Sequence, residues 1–142
     1  MIGSRGWDYD LIVLGEPGSK SNQRRIVKFG GVSRLIKSEK ALKYGKYFKE
    51  QTIPLADLVD CDVSLRLDVW YSSRRPDLAS KDLVQDLLQD VIYLNDRQVK
   101  AGMEIWNLDK SNPRVRIRIK VLGTHGDKNI SELNYDDVWG KY

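Results

Sequence analysis

Two segments of alternating polarity constrain the fold of this chain more than any other feature of its sequence. From Val63 to Val69 every second residue is apolar, and the residues between them are polar or charged. The same period returns from Arg114 to Leu122, where basic residues alternate with valine and isoleucine. A period of two places one face of a strand against a core and the other face toward a polar environment. The chain must therefore build a sheet that has one buried apolar face.

The remaining elements are predicted from shorter signals. Gly30-Gly31 between two apolar runs indicates a hairpin, and Ser38 can cap a following helix. The element order β-β-β-α-β-α-β-β predicts an α/β (α+β) fold with a single mixed sheet and two main helices packed on it. The predicted strands are Asp10–Leu14, Gln23–Phe29, Val32–Lys37, Val63–Val69, Gln98–Trp106 and Arg114–Leu122, and the predicted helices are Glu39–Gln51 and Asp82–Val91.

Length and composition set the domain organisation and exclude several classes of site. The 142 residues favour one domain over residues 1–123, followed by a polar tail over residues 124–142. A single cysteine, Cys61, excludes an intrachain disulfide, and a single histidine, His125, argues against a multi-histidine metal centre. Met1–Asp10 does not resemble a signal peptide, and no stretch reaches the roughly 20 apolar residues of a membrane span. We therefore expect a cytoplasmic protein without a membrane partner.

Basic residues are concentrated in the first part of the chain. Residues 1–50 hold 11 Lys and Arg against 5 Asp and Glu, whereas residues 51–142 hold 13 against 15. This distribution suits a polyanionic partner such as nucleic acid, and ordinary surface charge explains it about as well. The basic face of Arg114–Lys120 leaves the same two alternatives open, a DNA contact or a solvated face. The predicted first helix carries a row of basic residues: Lys40, Lys43, Lys46 and Lys49.

The second predicted helix lies in the most acidic part of the chain. Three aspartates share one of its faces at a spacing of four residues, where like charges repel by roughly a few tenths of a kcal/mol per pair. The helix N-terminus compensates only the first of them. A bound divalent cation would account for the others, and an acidic solvent-facing surface is the alternative. The five aspartates of this region are Asp77, Asp82, Asp86, Asp90 and Asp96.

Two known site patterns fit this sequence poorly. Gly15–Ser21 lacks the G-x-x-x-x-G-K-[ST] spacing of a phosphate-binding loop. A PD…(D/E)xK nuclease site would use Pro76-Asp77 and Glu104, but Trp106 stands where that pattern requires lysine. Neither pattern is adopted. The first loop still offers basic side chains suited to phosphate contacts: Lys20, Arg24 and Arg25.

A third pattern extends over about residues 10–121. Arg74-Arg-Pro-Asp-Leu78, the helical Asp82-Leu-Val-Gln-Asp-Leu-Leu88 and Val91-Ile-Tyr-Leu-Asn-Asp-Arg-Gln-Val99 follow one another. They resemble the P-D-[IL]-D-N, D-A-L and [WY]-x-D-D-x-Q-V motifs of the RusA family of Holliday-junction resolvases. Gly15-Glu-Pro-Gly-Ser-Lys20, followed by Arg24-Arg25, is similar to the G-x-P-x-x-K-x-R-x-R opening of that family.

The resemblance implies a RusA-like fold and a homodimeric nuclease, often phage-encoded and then active in the host cytoplasm. Such an enzyme binds four-way DNA junctions and resolves them by paired symmetric nicks that require magnesium or manganese. The implied catalytic residues are Asp77, Lys81, Asp82 and Asp96. The implied metal ligands are Asp77, Asp82, Asp86 and Asp96, and the implied DNA-binding residues are Lys20, Arg24, Arg25, Arg74 and Arg75.

The sequence departs from the family pattern at one metal ligand. Ala79 stands where the family has its second aspartate, Ser80 replaces the following asparagine, and the helix is one residue short. Asp82 is the candidate to replace the missing carboxylate from one helical turn later. If it does not, a non-catalytic nucleic-acid-binding protein of the same fold is the main alternative, and a protein-interaction module is a third.

Overall fold

A computed structural model describes residues 3–18, 24–123 and 128–141 of the chain. Its element order agrees with the predicted one up to residue 123, and a short helix follows in the C-terminal segment. The helices are α1 (Glu39–Gln51), α2 (Lys81–Leu87) and α3 (Tyr135–Val138). The strands are β1 (Tyr9–Leu14), β2 (Arg24–Phe29), β3 (Val32–Lys37), β4 (Asp62–Tyr71), β5 (Val99–Leu108) and β6 (Arg114–Gly123).

Four strands form a mixed sheet in the order β1-β6-β4-β5. β6 is antiparallel to both β1 and β4, whereas β5 is parallel to β4. In this register Leu67 of β4 lies opposite Ile117 of β6 on one side and Glu104 of β5 on the other. Because β1, β4 and β5 all run in the same direction, their carboxyl ends lie at one edge of the sheet.

The hairpin of β2 and β3 forms a separate two-stranded sheet. Its turn uses Gly30 and Gly31 at φ values of +53° and +84°, the conformation of a type I′ hairpin turn. The hairpin is confirmed, but the prediction of one sheet for all six strands is wrong. The backbone groups of β2 and β3 hydrogen-bond to each other across a short turn. Within the described residues, neither strand pairs with the four-stranded sheet.

The main core lies between the four-stranded sheet and the helices α1 and α2. The apolar residues of the two alternating segments point into it, as their period predicted, and leave no exposed surface on Leu65, Leu67 and Ile117. Phe48 of α1 and Val84 of α2 pack against these residues from the helix side of the core, and both are fully buried. Ser38 caps α1 as predicted, since its side chain accepts a hydrogen bond from the backbone N–H of Ala41 at 3.2 Å.

Helix α2 ends earlier than the sequence pattern predicted. Its last residue is Leu87 rather than Val91, and Asp90 adopts a left-handed φ of +64° that a continuing helix cannot hold. Val91 and Ile92 are nevertheless buried. The apolar pattern over Asp82–Val91 therefore reflects burial rather than helical conformation. Asp90 therefore does not share a helical face with Asp82 and Asp86.

The second face of the sheet is an internally paired charged layer. Asp68 of β4 forms salt bridges with Arg66 of the same strand and Arg118 of β6, both at 2.9 Å. Arg116 pairs with Asp10 of β1 at 2.7 Å. The basic side of β6 is thus not a simple solvated face, because its arginines are largely engaged by carboxylates of the same molecule.

The C-terminal segment packs against part of this second face. Ser64 donates a hydrogen bond to the carbonyl of Val138, and the rings of Trp7 and Trp139 lie 6.2 Å apart. The Trp7 indole N–H donates to the carbonyl of Lys141 at 2.8 Å. Across residues 3–18, 24–123 and 128–141, no helix has the length and apolar character needed to cross a membrane.

Candidate functional site

The start of α2 meets the carboxyl end of β4 in a polar cluster, which we call the α2-start cluster. Tyr71, the last residue of β4, donates from its hydroxyl to the carbonyl of Asp77 at 3.3 Å. The Trp106 indole donates to the carbonyl of Pro76 at 3.0 Å, and its ring stacks on Tyr71 at 5.8 Å. Two aromatic residues therefore hold the loop that carries Asp77. The members of the cluster are Glu16, Tyr71, Asp77, Ser80, Lys81 and Glu104.

Glu104 of β5 anchors the first residues of α2. One of its carboxylate oxygens accepts from the backbone N–H of the fully buried Ser80 at 3.3 Å and from its hydroxyl at 3.5 Å. Two residues earlier on the same face of β5, Gly102 leaves room for the Lys81 side chain. A Cβ atom built at Gly102 would lie 2.9 Å from the Lys81 ammonium nitrogen. The strand thus positions both a carboxylate and a lysine at the start of α2.

Negative charge is concentrated around the hydroxyl of Tyr71 in this cluster. Burial raises the pKa of Tyr71, a hydrogen bond with Ser80 opposes that shift, and the charges of Glu104 and Glu16 raise the pKa further. Glu16, which follows β1, accepts from the backbone N–H and the hydroxyl of Ser72 at 2.7 and 2.9 Å. Carboxylates from β1 and β5 therefore approach the same hydroxyl at the end of β4.

A second polar group, the α2-end cluster, lies at the other end of the helix. Gln89 joins two of the predicted aspartates: its amide nitrogen donates to Asp86 at 3.0 Å, and its oxygen accepts from the backbone N–H of Asp96 at 2.9 Å. Burial raises the pKa of Tyr93, and the nearby charges of Asp96 and Asp86 add to that shift. Gln85 completes this cluster by donating to the carbonyl of Asp96 at 3.2 Å.

In the segment Asn95–Val99, every polar motif residue but one stabilises the local structure through its side chain. Asn95 and Gln98 form a capping box around the 3₁₀ turn Asp96–Gln98. The Gln98 amide also donates to the carbonyls of Val59 and Cys61 at 2.8 and 2.9 Å, which ties the turn to the chain entering β4. Only the Asp96 carboxylate is left without such a contact in the described parts of the chain.

The structure separates the aspartates that the sequence suggested would act together. Asp77 lies beside Trp106 near the carboxyl end of β5, whereas Asp96 lies before Val99 at its amino end. Val99 and Trp106 are seven residues apart, a span of roughly 23 Å at the usual rise of a strand. Asp86 is brought close to Asp96, and Lys81 and Asp82 begin α2 near Asp77. No group of three or more carboxylate, histidine or cysteine side chains within the described ranges is arranged to hold a metal ion.

The predicted DNA-binding residues fall in three places. Arg74 and Arg75 are exposed in the loop between β4 and α2, close to Asp77. Lys20 lies outside the described residues, and of Arg24 and Arg25 only the backbone is described, as the first residues of β2. The lysine row of α1 is exposed along its whole length, as its spacing predicted: Lys40, Lys43, Lys46 and Lys49.

Sequence reasoning passed over two carboxylates of the α2-start cluster. In the sequence Glu104 belongs only to a pattern that requires lysine two residues later, and Glu16 only to a loop. Gly102 was the available signal for Glu104, because a glycine inside a strand often marks the close approach of another group. No sequence signal identifies Glu16, since its position depends on how β1 and β4 align.

Comparison with protein-family models gives no match for this chain, and a search of curated proteins finds no similar sequence. The assignment of function therefore depends on the site itself and on the motif resemblance described above.

Proposed function

We propose that this protein is a metal-dependent endodeoxyribonuclease that cuts branched DNA, such as a four-way junction. One observation carries the proposal. Asp77, Lys81 and Asp82 lie at the start of α2 and Asp96 lies beyond its end, and none of their charged groups has a hydrogen-bond or ion-pair partner within the described ranges. Many other acidic side chains are engaged internally, including those of Asp8, Asp10, Glu16, Asp68, Glu104 and Asp109.

The donor chemistry of this region fits the implied metal. Carboxylates are the oxygen ligands that magnesium and manganese prefer, and this region presents them in two places: Asp77 and Asp82 near the start of α2, and Asp86 and Asp96 near its end. A bound divalent ion supplies an activated water and neutralises charge on the phosphate.

The protein's own residues would bind and orient the DNA backbone. Arg74 and Arg75 are exposed next to Asp77, so their guanidinium groups can pair with phosphates on either side of the scissile bond. Lys81 lies over Gly102 beside the same loop and offers a third cation at short range. The Tyr71–Trp106 stack keeps the Asp77 loop in place while the phosphate binds.

Cleavage of a synthetic four-way junction in the presence of magnesium tests the proposal. We expect the wild-type chain to nick the junction and a linear duplex of the same sequence to be cut far less. Asp77→Asn should abolish nicking and keep junction affinity, because removing a negative charge does not weaken the grip on phosphates. Asp57→Asn, a matched change at an exposed aspartate far from α2 in sequence, is the control.

A junction-binding protein without nuclease activity is the second candidate. It is favoured by Ala79, which supplies no carboxylate at the position where the resembled family has one. Salt-sensitive junction binding without any nicking, in magnesium or in manganese, would support this candidate over the nuclease.

A further inference from the structure

The two exposed arginines between β4 and α2 lie in a loop whose far end is fixed by the sheet. We call this segment, residues 72–77, the arginine loop. The Trp106 indole of β5 donates a hydrogen bond to the carbonyl of Pro76 at 3.0 Å. Inside the loop, the backbone N–H of Arg75 makes only a long contact of 3.4 Å with the hydroxyl of Ser73. The position of the arginines therefore depends on how the other end of the loop is held.

The near end of the arginine loop is held by one carboxylate from another part of the chain. A single oxygen of Glu16 accepts from the backbone N–H of Ser72 at 2.7 Å and from its hydroxyl at 2.9 Å. Hydrogen bonds to an ionised carboxylate are stronger than neutral ones. The two residues are 56 positions apart in the sequence, so a segment outside the loop decides where the loop begins.

The backbone on both sides of Glu16 is fixed in turn. Gly15 adopts a φ of +105°, and its N–H donates to the carbonyl of Pro113 at 2.9 Å. A Cβ atom at Gly15 would lie 3.3 Å from the ring of Tyr47, which leaves little room for this turn to move. Pro17, on the other side, is buried. Glu16 is therefore anchored independently of the loop that it holds.

We propose that Glu16 is a positioning residue for DNA binding, which holds Ser72 so that Arg74 and Arg75 are presented to phosphates in a preformed loop. This inference rests on the proposed function and assigns a role to a residue outside the motif resemblance. The charge of Glu16 repels phosphate, so any benefit to DNA binding must pass through its bonds to Ser72. A loop that is already ordered loses less conformational entropy when it binds.

Two substitutions of Glu16 have opposite expected effects on DNA affinity. The measurement is fluorescence anisotropy of a labelled synthetic four-way junction in the absence of divalent metal, so that no strand is cut. Glu16→Ala should weaken binding by about tenfold, although it removes a negative charge. Glu16→Gln removes the same charge but keeps an oxygen that can accept from Ser72, and it should bind as tightly as wild type or more tightly. Glu50→Ala, the loss of an exposed glutamate on α1, is the control and should not weaken binding.

A double-mutant cycle connects the effect to the arginines. Arg74→Ala with Arg75→Ala should weaken junction binding, and adding Glu16→Ala should then change the affinity little, because no cation is left to position. Ser72→Ala keeps the backbone bond to Glu16 and should weaken binding less than Glu16→Ala does. Unchanged or tighter binding by a folded Glu16→Ala chain, or additivity with the arginine changes, would overturn the inference. The urea midpoint of each variant shows whether the chain is folded.

The outcomes separate this role from the nuclease activity. The expected affinity pattern without any nicking in magnesium would refute the proposed nuclease and leave the role of Glu16 standing. Magnesium-dependent nicking by a chain whose junction affinity does not depend on Arg74 and Arg75 would do the reverse. Absence of junction binding by the wild-type chain would overturn both.

Discussion

Asp68 is required because two arginines face each other across β4 and β6. Arg66 lies directly opposite Arg118 in the antiparallel register, and like charges in that position are destabilising. The Asp68 carboxylate accepts from both guanidinium groups and is itself only 8% exposed. Burial alone would raise the pKa of Asp68, but the hydrogen bonds and charges of Arg66 and Arg118 outweigh burial and lower the pKa.

Replacing Asp68 by Asn should destabilise the fold by about 3–5 kcal/mol, because two buried arginines lose their counter-charge. Chemical denaturation at neutral pH measures this loss, and Asp57→Asn should show little change.

The pKa of Asp68 is lower in the folded chain than its unfolded value of about 3.9, so the stabilisation that Asp68 provides is complete above that pH. It is lost as the pH falls through the lower folded value, and the difference between wild type and Asp68→Asn should shrink there. An equal difference at pH 7 and at strongly acidic pH would contradict this account.

At the scale of elements, the sequence pattern predicts most strands and helices because it records which side of each segment is buried. The bounds of α1 agree with the prediction, and β4 and β6 extend the predicted alternating segments by a few residues. The end of α2 was missed because Val91 and Ile92 continue to be buried after the backbone leaves the helix at Asp90.

The candidate site was predicted only in part, for a reason that lies in strand pairing. Asp77 and Asp96 are close in sequence, and the helix between them suggested that they meet. Because β5 runs parallel to β4, the chain must return to the opposite edge of the sheet before β5 begins, and Asp96 stays at that edge. The same pairing places Glu104 within hydrogen-bond distance of Ser80, a contact that only Gly102 signals in the sequence.

The turn before β5 depends on one glutamine, and its removal should be measurable. Gln98 accepts from the backbone N–H of Asn95 and donates to two carbonyls near β4. Gln98→Ala should lower the free energy of unfolding by about 1–3 kcal/mol, and Gln98→Glu by more, since its carboxylate would face those carbonyls. Lys100→Ala, an exposed change two residues later, is the control in the same urea titration. Equal stability of the Gln98 and Lys100 variants would show that this turn is not held in the way described.

At the scale of the whole molecule, charge is divided between elements rather than mixed over the surface. The exposed lysine row lies on α1, the aspartates lie on and around α2, and the arginines of β6 are paired within the sheet. A phosphate backbone would therefore be attracted by α1 and the Arg74-Arg75 loop and would reach the carboxylates only with a metal ion to offset their charge.

One chain of this kind offers one α2-start cluster, whereas resolution of a four-way junction needs two symmetric nicks. A C₂ homodimer would provide two such centres related by the symmetry of the substrate. We therefore expect light scattering at micromolar concentration to give about twice the chain mass of 16.4 kDa. Mixed dimers of wild-type and Asp77→Asn subunits, purified by a tag on each, should nick one strand and leave its partner strand intact. If mixed dimers still make both nicks, or if a strict monomer makes paired cuts, a single centre acts twice and the dimer is not needed for resolution.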